Sequence, residues 1–266
     1  MKQFLEIHFV VLILIVLASM PIAEGIHDGW QSYHADDFKR AGQIWLVEAK
    51  QGRAAAQNNL GTLYANGQGV EQSYEEAIKW YRMAAEQGDA EAQNNLGVIY
   101  SQVREVPKNH KIAAKWYRKA AEQGHAKAQN NLGFMLENGH GVEQSDRKAV
   151  RWYRLAAEQG IAVAQCNLGN MYANGQGVEQ DHKQAVKWYR LAASQGDADA
   201  QNNLGNMYFA GRGLPQSYEN AYAYWLEAEA NGASIARDNI EIAQRQMNLN
   251  QIKHGQKVVR QLWPGR

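Results

Sequence analysis

The chain has 266 residues, 28 Lys and Arg against 27 Asp and Glu, and a net charge of +1. That balance gives no bulk electrostatic case for nucleic acid or an acidic lipid surface as partner. The single cysteine, Cys166, excludes an intrachain disulfide framework, and a composition rich in Ala, Gln, Asn, Gly and aromatics argues against disorder.

Residues 1–25 read as a secretory signal peptide. Lys2 precedes an unbroken apolar run from Phe9 to Ala18, and Ala23-Glu24-Gly25 fits a small-x-small cleavage site. The run is short for a membrane span, which needs about 20 residues. No Cys follows it to carry a lipid anchor. The expectation is export to the periplasm or beyond, with no stable membrane span after cleavage. Residues 26–36 are then a short N-terminal segment.

From residue 37 the chain is periodic. Gly52, Gly88, Gly124, Gly160, Gly196 and Gly232 lie 36 apart, and so do the Leu-Gly pairs at Leu60, Leu96, Leu132, Leu168 and Leu204. A fixed period of this length predicts stacked helical hairpins that cannot bury their apolar faces singly. A lone second-type helix occupies 37–52, with Ala41, Trp45 and Ala49 in register. Five helix pairs follow at 53–88, 89–124, 125–160, 161–196 and 197–232, and residues 233–266 form capping helices, the last opened by Asn248 with Gln251 and ending before Pro264.

In the repeat 53–88, Ala56, Leu60, Leu63 and Tyr64 form the apolar stripe of a first helix. Gly61 stands mid-helix, where Gly costs ~1 kcal/mol against Ala. Its return in every repeat predicts close approach of a neighbouring helix. Gly67-Gln68-Gly69-Val70 breaks the helix, and Ser73 with Glu76 caps the second one, whose buried face is Ala77, Trp80, Tyr81, Ala84 and Ala85. One repeat departs: Val103-Arg104-Glu105-Val106-Pro107 replaces the turn glycines and predicts a differently shaped loop.

These residues resemble the Sel-one-like repeat family of the tetratricopeptide superfamily. The pattern is Ala-x-x-x-Leu-Gly-x-x-Tyr-x-x-Gly-x-Gly-Val, then Ala-x-x-Trp-Tyr-x-x-Ala-Ala-x-x-Gly, matched nearly in full by Ala56 to Gly88 and by Ala164 to Gly196. The segment Met247 to Pro264 is similar to closing segments of bacterial members. The resemblance implies an all-α, right-handed superhelix, a solenoid that binds proteins or extended peptides. A cysteine-rich branch is linked to β-lactam binding and hydrolysis, but it carries a cysteine pair in each repeat, which this chain lacks.

A helical wheel centred on Leu60 turns Asn58, Thr62 and Ala65 away from the core, with Asn59 and Asn66 at its border. The superfamily resemblance makes that face the concave groove. The expected partner-binding residues are Asn58, Asn94, Asn130, Cys166 and Asn202 in one row and Thr62, Val98, Phe134, Asn170 and Asn206 in the next. Glu137 and Phe209 stand in a third row. Asn is a poor helix former. Its return in the first row fits either an amide ladder for a peptide backbone or bonding between repeats. Phe134 and Phe209 are candidate apolar anchors.

Catalytic chemistry is thinly represented. Gly-Gln-Gly-Val lacks the preceding strand and following Lys of a phosphate loop. Ser145-Asp146-Arg147-Lys148 has Ser-x-x-Lys spacing, at a place where a helix N-cap is expected. His110 and His182 share a repeat position two repeats apart, too far for ligand bonds of ~2 Å to one metal. No catalytic residue, metal or cofactor is assigned. The leading expectation is a non-enzymatic, exported scaffold, the alternative a hydrolase acting on β-lactam or peptidoglycan-like substrates. A saccharide-binding role is the third reading, and the sequence does not set the oligomeric state.

Overall fold

The computed structural model describes residues 24–262. The signal segment and the tail from Trp263 to Arg266 lie outside the described residues. Fourteen α-helices and no strand are found among the described residues, so the chain is all-α, as expected. The chain divides into two compact units, up to Trp116 and from Tyr117 onward, and the boundary falls inside a helix.

The first unit contains α1 (Glu24–His34), α2 (Phe38–Lys50), α3 (Ala54–Asn66), α4 (Tyr74–Glu86), α5 (Ala90–Gln102) and the start of α6 (His110–Glu122). From α1 to α5 each helix packs on the next. The first-type helices α3 and α5 start on extended Arg53 and on Asp89, whose carboxylate accepts the Ala92 N–H at 2.8 Å. α3 stops at Gly67, left-handed at φ 68°. Gly69 is left-handed too, and a Cβ there would lie 2.5 Å from the Phe38 carbonyl carbon, so the loop packs on the start of α2. α5 lacks this device: Val103 ends it in extended conformation, and Glu105, Val106 and Pro107 lie beside Tyr74 and Ile78 of α4. The altered loop is therefore differently shaped, as its sequence predicts.

The second unit contains α7 (Ala126–Asn138), α8 (Asp146–Glu158), α9 (Ala162–Asn174), α10 (His182–Ser194), α11 (Ala198–Ala210), α12 (Tyr218–Ala230), α13 (Ala236–Gln246) and α14 (Leu249–Leu262). α7 to α13 pack in sequence, and α14 folds back onto α12. Asn248 and Gln251 cap α14 reciprocally at 3.0 Å each way, and Gln251 also donates to Glu219 of α12 at 3.0 Å.

The mid-helix glycines explain the interlock. A Cβ on Gly61 would sit 2.7 Å from the Tyr81 ring, on Gly133 2.7 Å from Tyr153, on Gly169 2.6 Å from Tyr189, and on Gly205 2.5 Å from Trp225. Alanines on the second helix complete the close approach. The same contact occurs once more where the sequence shows no Leu-Gly pair. A Cβ on Gly29 would lie 2.1 Å from Trp45 Nε1. Sixteen residues separate Gly29 from Trp45, whereas twenty separate Gly61 from Tyr81. Thus α1 and α2 are a further helix pair whose connection is four residues shorter, and residues 24–34 are a helix with a first-type packing role.

Hydrogen bonds from a buried glutamine tie neighbouring pairs together. Gln57 Nε2 donates to the Ala49 carbonyl at the end of α2, and Gln57 Oε1 accepts from Gln87 at the end of α4. Gln165 repeats this with Ala157 and Gln195, and Gln201 with Ala193 and Asn231. Each such amide adds a second hydrogen bond to a helix-terminal carbonyl that also accepts from the glycine N–H three residues on.

Candidate functional site

The first row of expected binding residues does not face solvent. Asn94, Cys166 and Asn202 are buried, and Asn58 and Asn130 are half-buried. Their amides serve the stack. Asn95 donates to Asn58 Oδ1 at 3.1 Å, Asn167 to Asn130 Oδ1 at 3.1 Å, and Asn239 to Asn202 Oδ1 at 2.9 Å. The helical wheel fails here because it assumes one core. A first-type helix in a stack is covered by its hairpin partner, by the preceding second-type helix and by the neighbouring first-type helix. Asn58, Asn130 and Asn202 meet the last of these.

At Cys166 this ladder is rerouted. The thiol is a weak acceptor, 3.9 Å from Asn203 Nδ2, and Asn203 donates instead to Asn170 Oδ1 at 3.0 Å. Burial first, then the nearby Asp197 and Asp199 carboxylates, push the thiol well above the usual range. Neither a thiolate nor an accessible sulfur is on offer for intermolecular bridging. Native protein should therefore react with iodoacetamide roughly a hundredfold more slowly than urea-unfolded protein at the same pH. Equal rates by mass spectrometry would contradict the burial.

The second row is more open and chemically varied, and its polar members hold the aromatic of the second helix. Thr62 Oγ1 is 3.0 Å from Tyr81 Oη, Asn170 Oδ1 accepts from Tyr189 Oη at 2.7 Å, and Asn206 Oδ1 accepts from Trp225 Nε1 at 3.2 Å. Burial pushes the Tyr81 hydroxyl up to about 12, against the Thr62 hydrogen bond. Phe134 cannot accept such a bond. In its repeat Glu137, one turn on, takes the Tyr153 hydroxyl at 2.6 Å, and burial together with that carboxylate holds Tyr153 protonated. Freed from that duty, Phe134 is 49% exposed and touches only the edge of His140 among aromatic rings described. Phe209 is half-buried between Tyr218 and Trp225, with ring centroids 5.2 and 5.5 Å away, so it is a packing residue more than a free anchor.

Asn58, Thr62 and Val98 come together in one groove of the first unit, with a volume of about 640 Å³. Its walls include Trp30 and Tyr33 of α1, Trp45 of α2, and Tyr74 and Tyr81 of α4. Trp30, Tyr33 and Trp45 were not among the residues expected at a site. The signal that finds them is Gly29 ahead of Trp45, hidden by the shorter connection. Ser145 is spent on structure: its hydroxyl accepts the Lys148 N–H at 3.4 Å as the N-cap of α8. Among the described residues, no three His, Cys, Asp or Glu side chains gather where a metal could be held.

The profile of the Sel1 repeat matches residues 54–89, 90–125, 126–161, 162–197 and 198–232. The chain belongs to the Sel1 repeat family. Members of that family generally serve as protein-interaction scaffolds, and Sel1 repeats form a helical solenoid. A Sel1 repeat protein from Oxalobacter formigenes is similar at 37% identity, over 87% of this chain and 94% of that one, with a TM-score of 0.79. A protective antigen present in uropathogenic Escherichia coli strains, described as displaying an SLR fold, is similar at 34% identity over 90% of this chain, with a TM-score of 0.86. The present chain spans about half of that protein, covering 52% of it. None of the curated proteins searched matches the chain. No helix of the described residues in this Sel1 repeat chain is long and apolar enough to cross a membrane.

Proposed function

We propose that this Sel1 repeat protein is exported and binds a protein or an extended peptide along the open face of its first-type helices. The observation that carries the reading is a division of labour along α3, α5, α7, α9 and α11. Side chains that recur, Gln57, Asn59, Leu60, Gly61 and their counterparts, are mostly consumed by stacking and inter-repeat bonds. Side chains that change from repeat to repeat cluster one residue after the glycine, and two of them, Val98 and Phe134, are apolar and not fully buried. A solvated apolar group on an otherwise amide-rich face is what a partner would desolvate. Export rests on the apolar run Phe9 to Ala18 and on the description of the Escherichia coli relative as a protective antigen.

The reading is tested by placing a photo-crosslinking amino acid at Phe134, and separately at Leu155, an exposed residue of the second-type helix α8. In the producing cells, irradiation should give a discrete adduct of one polypeptide at position 134 and none at 155. Adducts at neither position, or the same adducts at both, would overturn the assignment of the face.

A further inference from the structure

The amide ladder of the first unit ends on an unmatched donor. Asn95 donates back to Asn58, three residues before Gly61. Asn59 is the counterpart of Asn95 one pair earlier, so its amide reaches for the residue three before Gly29. That residue is Ile26, which has no side-chain acceptor. The Asn59 side chain is 93% buried, at 7% exposure, and its Nδ2 has no hydrogen-bond partner. A buried amide N–H without an acceptor is costly and calls for an explanation. Trp45 Nε1, under Gly29, is a second buried N–H without a partner, and both residues line the groove.

The rest of the groove narrows what could answer them. Two of its acceptors are engaged: Asn58 Oδ1 accepts from Asn95, and Thr62 Oγ1, which donates to the Asn58 carbonyl, pairs with the Tyr81 hydroxyl. No Lys, Arg or His lines it, and the only carboxylate is that of Glu91. The complement is therefore uncharged or basic, rich in acceptors and poor in donors, with flat apolar surface for aromatic walls. Trp30, 39% exposed, and Tyr33 stand 5.5 Å apart, edge to face, and give such a wall. A saccharide brings a hydroxyl donor with nearly every acceptor, whereas both orphaned groups of the groove are donors. An ordinary extended peptide brings an N–H with every carbonyl. A proline-rich peptide keeps its carbonyls, lacks many of its N–H groups and is already extended.

We propose that the groove between α1, α3 and α5 binds a proline-rich stretch of a partner polypeptide in polyproline II form, with prolyl rings on Trp30 and Tyr33 and a backbone carbonyl accepting from Asn59 Nδ2. Aromatic grooves with a spare N–H are a general solution for such ligands, because the preformed helix loses little entropy on docking. Three helices at ~8–10 Å spacing give a span of roughly 16–20 Å, which is about six residues at 3.1 Å each. The inference rests on the peptide-binding reading above and adds the ligand's chemistry and its place.

The test is fluorescence anisotropy of a labelled dodecapeptide, four repeats of Pro-Pro-Ala, titrated with the purified protein. A Gly-Ser peptide of equal length and chitotetraose serve as competitors. Saturable binding to the proline peptide is expected, with neither competitor displacing it. Trp30→Ala and Asn59→Leu should each weaken binding about tenfold or more. Asn59→Leu removes the orphan donor, so its thermal midpoint should stay equal or rise, which separates loss of binding from loss of fold. Leu155→Ala, at an exposed position of the second-type helix α8, should leave the affinity unchanged. Absence of saturable binding, binding indifferent to both groove variants, or displacement by chitotetraose would each overturn the proposal. If these failed while the adduct at position 134 persisted, only the groove's assignment would fall.

Discussion

Gly169→Ala should destabilise the second unit by about 1–2 kcal/mol, and Gly169→Val by more. In an exposed helix the alanine would gain ~1 kcal/mol in propensity. Here its methyl would stand 2.6 Å from Tyr189 Cε1, inside contact distance. Tyr189 cannot swing away cheaply, because its ring is buried among Ala185, Ala192 and Leu204 and its hydroxyl is held by Asn170 at 2.7 Å. Overpacking of this kind costs about 1–3 kcal/mol and outweighs the propensity gain. Unfolding of a repeat array is not strictly two-state, so the measurement is urea unfolding by circular dichroism with hydrogen exchange resolved on α9 and α10. The penalty should shrink in a Tyr189→Leu background. An additive double mutant, or a stabilised Gly169→Ala, would mean that the ring is not what demands glycine.

Gln201→Ala should cost about 1–3 kcal/mol, since it removes two buried hydrogen bonds at ~0.5–1.5 kcal/mol each. Gln201 is fully buried; its Nε2 satisfies the Ala193 carbonyl at 3.2 Å and its Oε1 takes Asn231 Nδ2 at 2.8 Å. Asn231 keeps only a longer contact to Glu227, at 3.4 Å. Gln201→Leu should be no better, because filling the space restores neither hydrogen bond. The thermal midpoints of the two variants decide it: losses confined to the alanine variant would point to a cavity, not to the hydrogen bonds.

Much of the fold was legible because its determinants are local and periodic. Gly61 and its counterparts predicted a close helix neighbour, and the tyrosine or tryptophan twenty residues on supplies it. Ser73, Ser145, Asp181 and Asn248 act as the caps they resemble. What escaped was set by packing on more than one side. The wheel turned Asn94, Asn202 and Cys166 outward, whereas all three are buried, Cys166 and Asn202 against the next first-type helix. Gln57 carried no expectation, and its reach across two helix ends cannot be seen from spacing alone. The groove of the first unit was missed for a different reason. Trp45 is in register, but Gly29 stands four residues out of phase with the 36-residue repeat, so the pair they build is invisible to any search that insists on the period.

Many of the glutamine and asparagine bonds of the second unit join positions that recur from repeat to repeat, at a fixed offset. Asn167 meets Asn130 and Asn239 meets Asn202 by the same offset, as Gln159 meets Gln129 and Gln195 meets Gln165 by another. Duplicating or excising a whole 36-residue block therefore presents most of these bonds with an equivalent mate. Repeat number is free to drift by recombination, whereas a change of even one residue in spacing mispairs everything at the seam. The shortened connection between α1 and α2 is tolerated because it lies inside a pair, at the end of the array, where it disturbs a single rung and leaves Asn59 without its mate.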